Sequence, residues 1–205
     1  MELGLTTSSI RWAAGRLKSS MELAAPELNA LDGDLGDGDL GVTMMRAGEA
    51  LSAEADDFPD DIGLALLKCA QIFQRASAGT YGTLVATGLR AAGKTVTGRT
   101  IVPWRETSAL LATALASVSD RGRAQLGDKT VLDAIEAACV ATEGVDEPSA
   151  LIAASSKAVA AAIDQFRNVK FRQGRARIFG EKGIGKDDPG MVAFQRILEA
   201  LAIDS

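Results

Sequence analysis

The chain has 205 residues, is 47% hydrophobic and 4% aromatic, and carries a formal net charge of −5. Its length fits a single domain over residues 1–205, and its charge argues against nucleic acid as the main partner, because phosphate contacts need clustered basic side chains. It contains no histidine, which excludes Ser-His-Asp catalysis and a histidine-ligated zinc. We expect a cytoplasmic protein with no membrane segment, since there is no signal peptide and no run of eighteen apolar residues.

Apolar residues recur at three- and four-residue steps along most of the chain, a spacing typical of amphipathic helices. The first helix is predicted to begin near Ser8 or Ser9 and to end at Pro26. Seven further helices are predicted around residues 42–53, 62–76, 83–92, 110–118, 131–139, 148–166 and 189–201, with a loop over 119–129. No convincing alternating strand is found, so the sequence predicts an all-α fold of about eight helices.

An acidic stretch, LDGDLGDGDLG at residues 31–41, lies between the first two predicted helices. Carboxylate oxygens are ligands that suit Mg²⁺ and Ca²⁺, and glycine lets nearby side chains point at one ion. The EF-hand spacing fails when it is counted from either Asp32 or Asp37. A solvated acidic turn is the alternative. The pattern favours Mg²⁺ held together with a phosphate ligand.

Two short loops between predicted helices could contact a phosphate group. Residues Ser77–Gly82 offer backbone N–H groups and a hydroxyl, although a tight turn between helices would explain the same composition. Gly127–Thr130 precedes a predicted helix, where Thr130 is either an N-cap or a nucleotide contact.

A longer glycine-rich loop covers residues 174–190 and carries Arg175, Arg177, Lys182 and Lys186. It resembles the start of a Walker A motif, but Asp187 stands where that motif requires Ser or Thr. The loop could close over an anionic ligand, or it could be a solvated basic loop.

Together these segments resemble the L subunit, or C-terminal nucleotide domain, of the dihydroxyacetone kinase family. The resemblance spans most of the chain and follows the family's motif order. It implies an antiparallel barrel of eight α-helices with the nucleotide at one end. The matching segments are Asn29–Asp32 with Gly36–Gly41, Ser77–Gly82, Gly127–Thr130 with Asp133, Gly174–Ala176, Gly180–Glu181 and Asp188–Gly190.

The resemblance also implies roles for individual residues. Asp32, Asp37 and Asp39 would hold two Mg²⁺ ions that bridge the phosphates of ADP or ATP, and with Arg175 they would form the catalytic set. Leu40 and Lys186 depart from the family pattern, since many members have histidine at these positions. The implied nucleotide contacts are Leu40, Gly41, Thr43, Ser77, Ala78, Gly79, Gly127, Thr130, Arg175, Asp188, Pro189 and Gly190.

The function implied by the resemblance is phosphoryl transfer in a triose or tetrose ketose kinase. A separate K-type subunit would hold the sugar, and the phosphoryl group would come from ATP or from a phosphotransferase-system protein. Two alternatives remain at this point. One is a non-enzymatic adaptor or transcriptional coactivator that binds ADP and Mg²⁺; the other is the nucleotide domain of a kinase for another substrate, such as a fatty acid.

Overall fold

The computed structural model describes residues 4–77 and 79–202. Within these ranges it contains eight α-helices, which confirms the all-α prediction. None of the helices in these ranges is both long and apolar enough to span a bilayer. The helices are α1 Thr7–Gly33, α2 Leu40–Ala53, α3 Ile62–Ala76, α4 Thr80–Thr95, α5 Thr107–Gly122, α6 Val131–Ala141, α7 Pro148–Arg167 and α8 Pro189–Ala200.

Short elements connect the helices. Strands β1 (Gly4–Leu5) and β2 (Val102–Pro103) pair antiparallel. Three 3-10 helices cover Ala55–Asp57, Trp104–Glu106 and Arg175–Gly183. We call the last of these the cover segment, because it lies across one end of the molecule.

The eight helices form a closed ring. Each helix packs against the next one in the chain, and α8 packs against α1. The ring encloses one large apolar core, whose fully buried members include Met21, Leu28, Ile62, Ile72 and Met191. The first residues of the four even-numbered helices all line one cavity, so these helices begin at the same end of the ring.

Local capping signals explain where several of these helices begin. The side chains of Asp61, Thr130 and Asp188 accept hydrogen bonds from backbone N–H groups in the first turns of α3, α6 and α8. Pro148 and Pro189 stand at the starts of α7 and α8, where a missing N–H costs nothing. These starts agree with the sequence-based predictions.

The predicted end of the first helix at Pro26 is wrong. Helix α1 continues to Gly33 with Pro26 inside it, because Ala25 and Leu28 on either side are buried and their packing outweighs the local cost of proline. Asp32 therefore lies on the last turn of α1 rather than in a loop. Two smaller differences are that α4 begins at Thr80 and that α5 extends to Gly122.

Candidate metal and nucleotide site

A cavity of about 210 Å³ opens at the end of the ring where α2, α4, α6 and α8 begin. The backbone N–H groups at a helix N-terminus carry partial positive charge. Four such ends meet here, so the cavity suits an anion. Its walls include these residues of the predicted site: Asp32, Asp37, Asp39, Leu40, Thr43, Gly79, Thr130, Arg175, Asp188, Pro189 and Gly190.

Three carboxylates form an acidic trio at the edge of this cavity. Asp32, Asp37 and Asp39 each offer one oxygen, and these oxygens lie within 4.8 Å of one another. Asp32 is half-buried, whereas Asp37 and Asp39 are exposed. Like charges this close repel unless a cation lies nearby. The oxygen-only donor set is the one that Mg²⁺ or Ca²⁺ prefers.

Asp32 is held in position by the start of α2. Its Oδ2 accepts hydrogen bonds from the backbone N–H groups of Asp39, at 3.0 Å, and of Leu40, at 3.3 Å. A Cβ atom at position 36 would lie 2.7 Å from Asp32 Oδ1, so Gly36 leaves the space that this carboxylate occupies. The Asp32 carboxylate is therefore oriented by the protein itself.

Arg175 reaches from the cover segment to the trio and forms an ion pair with Asp37. The hydrogen bond from Arg175 lowers the pKa of the Asp37 carboxyl group, and the same contact raises the pKa of Arg175. Asp32 and Asp39 also attract the guanidinium, which adds to the rise in the pKa of Arg175. The positive charge of Arg175 thus faces all three carboxylates.

The wall of the cavity also contains Asp188 and Tyr81. Asp188 Oδ1 accepts a hydrogen bond from the N–H of Met191 at 2.8 Å. Burial raises the pKa of Asp188 to about 7, although this hydrogen bond and the nearby Lys129 oppose the rise. Tyr81 lies beside the start of α8, since a Cβ atom on Gly190 would be 3.3 Å from its ring.

Two hydroxyl groups near the cavity are buried and have no hydrogen-bond partner among the described residues. They are Ser77 Oγ and the hydroxyl of Tyr81. Tyr81 lines the cavity, whereas Ser77 lies behind it at the end of α3. Unpaired hydroxyls, an oxygen-rich trio and converging helix N-termini are groups that fit a Mg²⁺–phosphate ligand.

Some predicted nucleotide contacts lie outside the cavity wall. Gly41 is buried against α1, since an added Cβ would come within 2.0 Å of the carbonyl oxygen of Ala25, and the N–H of Gly127 donates to Asp133 Oδ1 at 2.6 Å. Ala78 lies outside the described residues. Their contacts with a nucleotide, like that of Ser77, stay predictions.

Sequence reasoning missed other residues of the wall. Tyr81 is the only tyrosine of the chain and follows Ser77 within a recognised motif, a signal that could have identified it. Leu35, Thr80, Gly174 and Ala176 also lie within segments that the sequence analysis singled out, whereas Leu84, Val131 and Gln173 gave no such signal. The wall residues that were not predicted are Leu35, Thr80, Tyr81, Leu84, Val131, Gln173, Gly174 and Ala176.

Lys129 lies within the segment Gly127–Thr130, but sequence reasoning gave it no role. Its side chain is only 1% exposed, and its Nζ donates to the carbonyl oxygens of Arg167 at 2.9 Å, Val169 at 2.9 Å and Gly183 at 3.4 Å. The ammonium also lies 4.1 Å from the centre of the Phe171 ring. Burial lowers the pKa of Lys129. This single side chain joins the start of α6 to both ends of the segment that carries Arg175.

Comparison with known proteins gives three consistent matches. The family model described as DAK2 domain matches residues 34–203. The ADP-binding subunit DhaL of the PEP-dependent dihydroxyacetone kinase from Escherichia coli is 32% identical, and the match covers 86% of each chain. The mouse triokinase/FMN cyclase is 30% identical over 97% of this chain, which spans only 36% of that longer protein.

A solved structure matches the fold. The crystal structure of the dihydroxyacetone kinase from C. freundii in complex with AMP-PNP and Mg²⁺ superposes with a TM-score of 0.73 at 22% identity. The match covers 94% of this chain and 33% of that one. At this identity the superposition establishes the helical architecture alone.

Proposed function

This chain belongs to the DAK2 domain family, and from that premise we propose that it is the nucleotide-binding, phosphoryl-transfer subunit of a dihydroxyacetone-type kinase. It would bind ADP or ATP with two Mg²⁺ ions and act on a triose or tetrose ketose held by a separate K-type subunit. The phosphoryl donor would be ATP or a phosphotransferase-system protein. We further propose that residues 1–205 form one domain.

The observation that carries this proposal is the meeting of two opposite electrostatic features at one cavity. The acidic trio suits a divalent cation. The N-termini of α2, α4, α6 and α8 suit an anion. A Mg²⁺–nucleotide complex presents a cation and a polyphosphate side by side, and therefore satisfies both features at once.

Different residues of the site would bind the metal, contact the phosphates and cover the cavity. Asp32, Asp37 and Asp39 would hold the metal, which when bound supplies neutralisation of phosphate charge. The N–H groups at the start of α4 would contact phosphate oxygens. Arg175 would cover the mouth of the cavity and limit the entry of water. The partner subunit would position the accepting hydroxyl, so this chain needs no histidine of its own.

Asp39→Asn tests the metal role with little structural cost. Asp39 directly precedes α2, and its side chain makes no capping hydrogen bond within the described residues. An amide is a weaker Mg²⁺ ligand than a carboxylate, so we expect the affinity for ADP in the presence of Mg²⁺ to fall by at least about tenfold. Fluorescence titration with a labelled ADP would measure this change.

Asp34→Asn is the matched control. Asp34 belongs to the same acidic stretch but pairs with Lys186 rather than joining the trio. We expect this variant to bind ADP within about twofold of the parent protein, because its charge loss falls outside the trio. Equal losses in both variants, or no loss in Asp39→Asn, would contradict the metal role of Asp39.

The activity itself is tested by reconstitution. The purified chain is mixed with a K-type dihydroxyacetone kinase subunit, dihydroxyacetone or erythrulose, Mg²⁺ and either ATP or a phosphotransferase-system donor. Sugar phosphate should form with at least one donor and only when both subunits are present. A chain that binds ADP and Mg²⁺ but never yields sugar phosphate with any matched partner would instead favour the adaptor function.

A further inference from the structure

We infer that Arg175 is a placeholder for the metal: its guanidinium offsets part of the negative charge of the acidic trio in the metal-free protein, leaves when Mg²⁺ binds, and then turns to the phosphates of the nucleotide. This inference rests on the proposed function, because it concerns the same site. It adds that Arg175 competes with the metal for the carboxylates and contributes to binding of the nucleotide.

The position of Arg175 sets it in competition with a metal for Asp37. Arg175 forms its ion pair with this carboxylate, which belongs to the trio whose oxygens lie within 4.8 Å of one another. Mg²⁺ binds oxygen at about 2.0–2.1 Å and demands a nearly ideal octahedral arrangement. A Mg²⁺ ion and a guanidinium cannot both make close contact with the same carboxylate oxygen, and their like charges repel.

The backbone around Arg175 allows the side chain to leave. Gly174, just before it, has φ 72°, and Gly180 interrupts the cover segment with φ 54° and ψ −124°. The Arg175 side chain is 60% exposed. Lys129 anchors the chain at Val169 and Gly183, and Phe171 and Ala176 are buried against Leu35. Loss of the pair between Arg175 and Asp37 would therefore loosen the cover segment without separating it from the ring.

If Arg175 and Mg²⁺ exchange in this way, the substitution Arg175→Ala should change the affinity for Mg²⁺ alone and the affinity for ADP in opposite directions. In Arg175→Ala the trio loses its internal counter-ion, so we expect the affinity for Mg²⁺ alone to rise by about two- to fivefold, in line with the strength of exposed ion pairs. The same variant lacks the guanidinium that would contact phosphate. We therefore expect its affinity for ADP at saturating Mg²⁺ to fall by about tenfold.

Lys186→Ala is the matched control for net charge. Lys186 lies just beyond the cover segment and reaches the same acidic stretch, where its Nζ is 2.6 Å from Asp34 Oδ2. Its removal changes the charge of the protein by the same amount but leaves the pair between Arg175 and Asp37 intact. We expect its affinity for Mg²⁺ alone to change by less than about half of the change in Arg175→Ala.

The test is calorimetric titration of the parent protein and both variants, with Mg²⁺ alone and then with ADP at saturating Mg²⁺. Hydrogen exchange of the parent protein gives an independent readout: amides of residues 175–182 should exchange faster with Mg²⁺ alone than without it, and slower again when ADP is added. Arg175→Ala should stay folded with at most a small fall in thermal midpoint, because an exposed ion pair contributes little to stability.

The outcomes separate this inference from the proposed function. If the parent binds ADP with Mg²⁺ but Arg175→Ala binds Mg²⁺ alone no more tightly than the parent does, the exchange is overturned and the function stands. Slower exchange of residues 175–182 with Mg²⁺ alone would overturn it as well. If none of the three proteins binds Mg²⁺ or ADP, the proposed function fails.

Discussion

Tyr81 places a hydroxyl group in the interior without a hydrogen-bond partner among the described residues. Burial, together with the nearby Asp188, raises the pKa of this hydroxyl, so it stays protonated and can act as a donor. Leaving a buried polar group unpaired costs about 1–3 kcal/mol. The free protein therefore carries a cost at this residue.

Tyr81→Phe should remove that cost while preserving the shape of the ring. We expect the free energy of unfolding of the ligand-free protein to rise by about 1 kcal/mol, as measured by urea denaturation. Thr142→Val is the control, because the buried Thr142 hydroxyl donates to Ala138 and lies 3.1 Å from the carbonyl oxygen of Cys139. That variant should lose stability, and a loss in Tyr81→Phe as well would show that the Tyr81 hydroxyl is satisfied.

The residues that sequence analysis identified best are those whose signal is local. Asp32, Asp37 and Asp39 lie within a stretch of eight residues, and the glycines between them indicate a tight loop. Lys129 gave no comparable signal, because its partners are backbone carbonyl groups 38 to 54 residues away. A carbonyl group is present at every position, so no residue type marks it as the partner of a lysine.

At the scale of elements, the cover segment depends on Lys129 for its attachment to the ring. The three carbonyl groups that Lys129 contacts belong to Arg167, Val169 and Gly183, and the N–H of Arg172 donates to the carbonyl of Asp128 at 3.1 Å. These bonds hold the chain just before the cover segment and at its end, Gly183, whereas Arg175 is its first residue. A change at Lys129 should therefore affect the segment more than the helices.

Lys129→Met keeps most of the side-chain length but removes the charge and the donors. We expect the free energy of unfolding to fall by about 2 kcal/mol, because bonds from a charged donor to buried carbonyl groups are lost. We also expect trypsin to cut faster within the cover segment, after Arg175, Arg177 or Lys182, under native conditions. Mass spectrometry of the fragments would locate the cuts.

Lys68→Met is a suitable control for this experiment. Lys68 Nζ also donates to a carbonyl oxygen, that of Asp57 at 3.1 Å, and lies 5.9 Å from the centre of the Phe58 ring. It is far along the chain from the cover segment and more exposed than Lys129. Equal cleavage of the cover segment in both lysine variants would show that Lys129 does not hold it.

Helix boundaries show where local signals are sufficient and where packing decides. The starts of α3, α6 and α8 follow from capping residues that the sequence displays directly. Pro26 is a strong local stop signal, yet α1 passes through it because its neighbours are buried in the core. The benefit of that packing depends on distant helices, and local patterns do not contain it.

At the scale of the whole molecule, the closed ring explains why the site lies where it does. The closed ring brings the starts of α2, α4, α6 and α8 to one end, although they are separated by up to about 150 residues in the chain. The periodicity of the sequence predicted the helices but not this convergence. Closure of α8 onto α1 is a tertiary contact, and it brings the start of α8 to the same cavity as the acidic trio.

The central claim is that this end of the ring binds a nucleotide through a divalent cation. Titration calorimetry of the purified chain with ADP, performed with Mg²⁺ and again with excess chelator, tests it most directly. We expect one ADP per chain in the presence of Mg²⁺ and a loss of affinity of at least about tenfold without it, since the trio repels the bare polyphosphate. Binding of ADP that is equally tight without the metal, or no binding by folded protein, would contradict the account.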